Sequence, residues 1–218
     1  HPDPELEETA DGAIDLIVSA QQPDGYLDTY YIINGLDQRW TNLRDNHELY
    51  CAGHMLEAAV AYWRATGKRK LLDAMLRYVD YIDSYFGTEE GKCHGYPGHE
   101  VLELALMKLY AVTGDPKHLK LAKYFIDQRG QAPLYFENEP HPGKPFHWAK
   151  SYFKYQYYQA GKPVREQQEA EGHAVRAVYL YSGMADVARL TGDESLKEAC
   201  RNLWNSVVKE QMYVTGGI

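Results

Sequence analysis

Cysteine is scarce: Cys51, Cys93 and Cys200 are the only three in 218 residues. An odd, sparse set gives no disulfide framework. Cys51 and Cys200 fall in apolar helical patterns and are expected to be buried free thiols. Cys93 stands beside His94 in a turn-rich stretch. The chain has no CxxC and no HExxH, so it carries no recognisable zinc motif of its own. Positive charge is also short, with 23 Lys and Arg against 31 Asp and Glu, a net charge of -8. That excludes nucleic acid or an anionic membrane as the main partner, because phosphate binding needs a basic face. No apolar run reaches the roughly 18 residues of a membrane-spanning helix. No segment alternates with period two for long, so no substantial sheet is expected. No basic start followed by an apolar core marks a signal peptide. The chain opens HPDPELEE without a methionine, and its true beginning is expected to be missing.

What is present is helical and of two kinds. From Glu194 to Lys209 the apolar residues Leu196, Ala199, Cys200, Leu203, Trp204, Val207 and Val208 make the stripe of a helix with one buried face. Leu72, Met75, Leu76 and Val79 repeat it, as do Leu119, Ala122 and Ile126, and Leu6, Ala10, Ala13, Ile14 and Ile17. Val101–Val112 and Ala174–Leu190 are apolar nearly all round, the pattern of helices buried on most sides. The two kinds alternate. Between them recur ATGKRK, VTGDPK and LTGDES, where Gly67, Gly114 and Gly192 are placed to close one helix in a left-handed conformation. Asp115 and Asp193 can then cap the next, and Pro116 suits a first turn. This irregular internal repeat predicts an all-α fold. Its form is an incomplete (α/α)6 toroid over 1–218, with about seven inner and outer helices and a chain that stops short of closure.

Two long connections remain, Gln21 to Asn46 and about Gly130 to Glu171. They hold Tyr26, Tyr30, Tyr31, Trp40, Tyr135, Phe136, Phe146, Trp148, Tyr152, Phe153, Tyr155, Tyr157 and Tyr158, which argues against disorder. Such aromatics can stack on sugar faces, but each is more simply read as packing its loop onto the domain.

Three inner helices each begin with a histidine: His47 in NHELY, His99 in PGHEV and His173 in EGHAV. In a toroid these starts converge at one mouth. A helix N-terminus disfavours imidazolium, so the rings are expected neutral, each with one donor and one acceptor. That suits sugar hydroxyls. His54, seven residues after His47, is expected to pack in the interior. Glu48 and Glu100 either favour the helix dipole or act as catalytic carboxylates. Arg176 is expected to pair with a buried acid, with Glu166 and Glu169 as candidates.

Four blocks carry a resemblance: AQQPDGYLDTYY, NHELYCAGHMLEAAVAYWRATGKRKLLD, GYPGHEVLELALMKLYAVTGDPKHLKLAKYFIDQRG and KPVREQQEAEGHAVRAVYLYSGMADVARLTGD. Together, in this order, they resemble glycoside hydrolase family 127, the β-L-arabinofuranosidases. The resemblance implies an (α/α)6 catalytic barrel followed by β-sandwich domains. It implies removal of β-L-arabinofuranosyl units with retention of configuration. In the family a zinc-bound cysteine thiolate attacks the anomeric carbon and a glutamic acid protonates the leaving oxygen. One glutamate and two further cysteines complete the zinc site. His47, His99 and His173 match family histidines that line the arabinose pocket. The acid, the zinc glutamate and the cysteines follow the TGGI turn in the family and are expected beyond Ile218. So no catalytic residue and no zinc ligand is assigned in this chain, and Cys51, Cys93 and Cys200 do not match the zinc cysteines. The expectation is therefore the N-terminal fragment of a zinc-dependent enzyme acting on L-arabinofuranosides. A cytoplasmic location follows from the need for reduced thiols. Two alternatives stay open: an α/α-toroid epimerase whose histidines move protons at a sugar carbon, and a helical scaffold that binds proteins.

Overall fold

The computed structural model describes residues 3–140 and 155–218. Phe146, Trp148, Tyr152 and Phe153 of the second long connection lie outside the described residues. Among those described, eight α-helices form: α1 Pro4–Ser19, α2 Thr29–Asn34, α3 Glu48–Thr66, α4 Lys70–Tyr85, α5 Leu102–Thr113, α6 Pro116–Gln128, α7 Ala174–Thr191 and α8 Glu194–Ser206. The short α2, inside the first long connection, is the one that periodicity does not show. Beyond helices, the described residues contain one isolated β-bridge, between Phe86 and Cys93. No helix among them is long and apolar enough to cross a membrane.

The repeat folds as its punctuation dictates. Gly67, Gly114 and Gly192 end α3, α5 and α7 with φ of 76°, 68° and 68°. Asp115 caps α6 by accepting from the Lys117 N–H, with Pro116 as first residue, and Asp193 caps α8 by accepting from the Leu196 N–H. Each TG turn thus folds an inner helix back onto an outer one: α3 on α4, α5 on α6, α7 on α8. The inner helices stand in a row, with α5 between α3 and α7, and α1 lies against α4. This is an α/α toroid arrangement.

The row explains where burial departs from the apolar patterns. The middle helix, α5, is enclosed by α3, α6 and α7, and Leu102, Ala105, Leu106, Met107 and Leu109 are buried. Gly53 of α3 permits the close approach, since a Cβ there would sit 2.8 Å from the Leu102 backbone nitrogen. The flanking helices each have one open side. On α7, Val175, Val178 and Leu190 are exposed, so it is not buried all round as its sequence suggests. On α3, Cys51 is exposed rather than buried, and Cys200 on α8 is half-buried. Trp204, expected in the buried stripe of α8, is 68% exposed beside that open side of α7. In α1 only Ile14 of the expected stripe is fully buried, while Leu6 is exposed.

The loop aromatics mostly pack. Tyr26, Trp40, Phe136 and Tyr158 are buried, while Tyr30 is exposed. Tyr26 and Trp40 meet edge to face at 5.4 Å. They also hold Glu48: the Tyr26 hydroxyl donates to Oε1 at 2.6 Å and the Trp40 backbone N–H to Oε2 at 3.0 Å. Glu48 is therefore a buried anchor for the first long connection, not a group facing a pocket. Burial pushes its carboxyl up to about 8.

Candidate sugar-binding site

The three histidines converge. His47 is the N-cap residue of α3 and His173 that of α7. His99 is placed differently from the sequence expectation. It lies in the turn before Val101, the N-cap of α5, rather than on the helix. The ring centroids of His47 and His99 are 5.7 Å apart, and those of His99 and His173 5.6 Å. His99 is thus the middle ring of a row, as α5 is the middle helix.

Gly98 makes the first spacing possible. Its N–H donates to the Leu43 carbonyl at 3.0 Å, and a Cβ on it would lie 2.1 Å from the Arg44 carbonyl oxygen. The strand of chain leading into His47 therefore rests directly on the turn that carries His99. Glu139, from the second long connection, fastens the same strand by accepting from the Leu43 and Arg44 N–H groups. We expect Gly98→Ala to cost about 1–3 kcal/mol, because backbone rather than a side chain must move. Thermal denaturation measures the loss, and an unchanged midpoint would show that the two segments slide freely.

The rings are held uncharged, as expected, though the physical cause is different. Burial lowers all three, and the positive charge of Arg176 adds to it. His99 is brought down to about 4. Hydrogen bonds fix two tautomers. His99 Nδ1 faces the Glu100 carbonyl at 3.2 Å. A carbonyl only accepts, so Nδ1 carries the proton and Nε2 is left as an acceptor. His173 Nδ1 accepts a long bond from the Arg176 N–H at 3.5 Å, which leaves its Nε2 as a donor. Neighbouring rings therefore present opposite hydrogen-bonding faces.

Aromatic rings line the histidines. Tyr50, one turn along α3 from His47, lies 4.2 Å from the His99 ring and 5.3 Å from His47. His54 meets Tyr50 edge to face at 4.5 Å and is half-exposed, so it extends this surface instead of packing inside. Tyr157 meets His173 at 5.4 Å. Tyr50 was legible only as one more helical aromatic, and its i+3 spacing from His47 is the signal that could have found it.

Arg176 does not find the expected acid. Neither Glu166 nor Glu169 pairs with it. Its guanidinium is instead stacked on Tyr157 and Tyr158, 4.5 and 4.8 Å from the ring centroids. Arg176 is 7% exposed, and its Nε and Nη1 have no hydrogen-bond partner. This charge is one reason that the histidines stay neutral. Arg176→Met is expected to raise the pKa of all three, His99 from about 4, while burial still holds them below 6.5. Histidine Cε1–H titration by NMR reads this, and unmoved pKa values would refute it.

Glu100 sits behind His99, fully buried, and does not reach the ring side of the site. Among the described residues no group of three or more His, Cys, Asp or Glu side chains is arranged to hold a metal ion, and all three cysteines are free. The described residues do not fit a zinc centre.

Comparison with known proteins agrees with this architecture. The model for the β-L-arabinofuranosidase GH127 catalytic domain matches residues 1–218. The non-reducing end β-L-arabinofuranosidase of Bifidobacterium longum subsp. longum is 45% identical over 224 residues, covering 100% of this chain and 34% of that protein. A solved GH127 β-L-arabinofuranosidase from Geobacillus stearothermophilus T6 superposes with a TM-score of 0.95 at 59% identity, over 99% of this chain and 34% of its own. A second solved GH127 β-arabinofuranosidase gives a TM-score of 0.84 at 41% identity, over 100% of this chain and 33% of its own. The chain spans about a third of the length of these relatives. A match over every residue, with the same helical hairpins, means that the chain belongs to the catalytic-domain family of glycoside hydrolase family 127.

Proposed function

We propose that residues 1–218 are the N-terminal part of the catalytic barrel of a retaining β-L-arabinofuranosidase, and that they supply one wall of its sugar pocket. The observation that carries this reading is the convergence of His47, His99 and His173, with adjacent ring centroids less than 6 Å apart. Neutral imidazoles with opposite polarity suit a furanose, whose hydroxyls each donate and accept. His99 Nε2 would accept from one hydroxyl and His173 Nε2–H would donate to another. Tyr50 and Tyr157 offer ring surfaces to the sugar C–H groups. The zinc, its ligands and the acid/base glutamate belong, in this reading, to residues beyond Ile218. Zinc would supply there a deprotonated thiol, and reduced thiols favour the cytoplasm.

The epimerase alternative needs an imidazolium to donate a full proton at carbon. Burial and the charge of Arg176 oppose that form in all three rings. A protein-binding scaffold gives no reason for three neutral histidines to meet.

The test uses the full-length protein and a chromogenic β-L-arabinofuranoside. Hydrolysis is expected, with loss of activity on chelation. Deuterium incorporation at a sugar carbon without hydrolysis would replace the reading with the epimerase. The 218-residue chain alone is expected to be inactive, and turnover by a verified preparation of it would overturn the proposal.

A further inference from the structure

Behind the histidine row lies a buried cation that touches no part of the pocket. Arg129 follows the last residue of α6 and is 0% exposed. Its Nη1 donates to the Tyr158 carbonyl at 2.9 Å and lies 2.8 Å from Glu100 Oε1. Its Nη2 donates to the Pro97 carbonyl at 2.7 Å and to Glu103 Oε1 at 3.4 Å. The Tyr96 ring lies under the guanidinium at 4.8 Å. One planar fork therefore holds two chain segments, 96–103 and 157–158, that are far apart in sequence.

Each segment is one link from a histidine. Glu100, held by Nη1, also provides the carbonyl that fixes the proton of His99 on Nδ1. Tyr157, next to the held carbonyl of Tyr158, accepts from the His173 backbone N–H at 3.3 Å and packs its ring on the imidazole. We propose that Arg129 is a positioning residue of the site, setting the spacing of His99 and His173 and the tautomer of His99 without contact to the ligand. A lysine cannot substitute, because an ammonium is a point charge and these acceptors diverge around a plane. The proposal rests on the sugar-pocket reading only for its affinity readout.

Arg129→Lys in the full-length protein keeps the charge among the two carboxylates and loses the fork. Ring 15N shifts of histidine report the tautomers directly. We expect the His99 proton to redistribute from Nδ1 toward Nε2 in this variant. We also expect KM for a β-L-arabinofuranoside to rise about tenfold with kcat changed far less, as when outer-shell partners of a site are removed. A folded variant with unchanged tautomers and unchanged KM overturns the proposal. A tautomer shift with no change in KM upholds the positioning role and refutes the sugar reading. Should the lysine variant fail to fold, Glu100→Gln decides. It loosens only the His99 arm, so His99 should shift and His173 should not, and an unmoved His99 rules the proposal out.

Discussion

Replacing His99 with alanine is expected to lower kcat/KM of the full-length enzyme on a β-L-arabinofuranoside by about a hundredfold, more than the same change at His47 or His173. His99 is the central ring, 5.7 Å from His47, 5.6 Å from His173 and 4.2 Å from Tyr50. Alanine removes the Nε2 acceptor and leaves the Glu100 carbonyl without the Nδ1–H that it now accepts. A lost hydrogen bond costs about 1 kcal/mol and an orphaned buried group about 1–3 more. Together that is roughly 2–4 kcal/mol, and each 1.4 kcal/mol is about tenfold in rate. The outer two rings have neighbours on one side of the row only, and about tenfold is expected for each. Steady-state kinetics on the three variants gives the ranking. A loss below about threefold at His99 would take the histidines out of the pocket.

Arg129→Met is expected to be the most damaging single substitution for stability. It leaves Glu100 and Glu103, both fully buried, without their cation. Breaking a buried pair by removing one partner costs about 3–5 kcal/mol. In a chain of this size that lowers the melting midpoint by roughly 10 °C. The loss depends on pH in a defined direction. Burial raises both carboxyls, Glu100 from 4.5 to about 8, with Arg129 opposing the rise. A carboxyl whose folded pKa is raised favours the fold below its unfolded pKa, and this contribution is lost as pH rises through the folded value. Without Arg129 the raised carboxyls rise further. The variant should therefore stay closest to wild-type stability from pH 4.5 up to about 8, where Glu100 is protonated in both folded proteins, and fall behind as pH rises above about 8, where only the wild-type acid ionises beside its cation. Thermal denaturation from pH 4.5 to well above 8 tests it. A deficit equal at both ends would mean that lost packing, not the uncompensated acids, accounts for the damage.

The parts of this molecule that were legible in the sequence are those written locally. Gly114, Asp115 and Pro116 state in three residues how one helix ends and the next begins, and the structure follows them. The meeting of the three histidines was legible because each stands near the start of an inner helix, although His99 sits in the turn before its helix and not at the cap. What was illegible depends on neighbours that periodicity does not name. An apolar stripe says that a face is oily, not that another helix covers it, so Cys51 and Trp204 were read as buried and are exposed. The search for an acid partner of Arg176 failed for a related reason: two tyrosine faces, from a loop with no regular pattern, hold it instead. Arg129 gave no signal at all, since its partners stand at 97, 100, 103 and 158 and only the fold assembles them.

The row of inner helices also bears on the order in which the molecule can form during synthesis. Each hairpin packs chiefly on the hairpin before it: α3 with α4, then α5 on α3, then α7 on α5. Contacts between successive units carry little loop-closure entropy, and domains of this kind can fold as the chain emerges. The strand before His47 is seated on the His99 turn once Glu139 has been made, and His173 joins when α7 docks. The row of three histidines would thus assemble hairpin by hairpin as the chain emerges, His47 with α3, His99 with α5 and His173 last with α7.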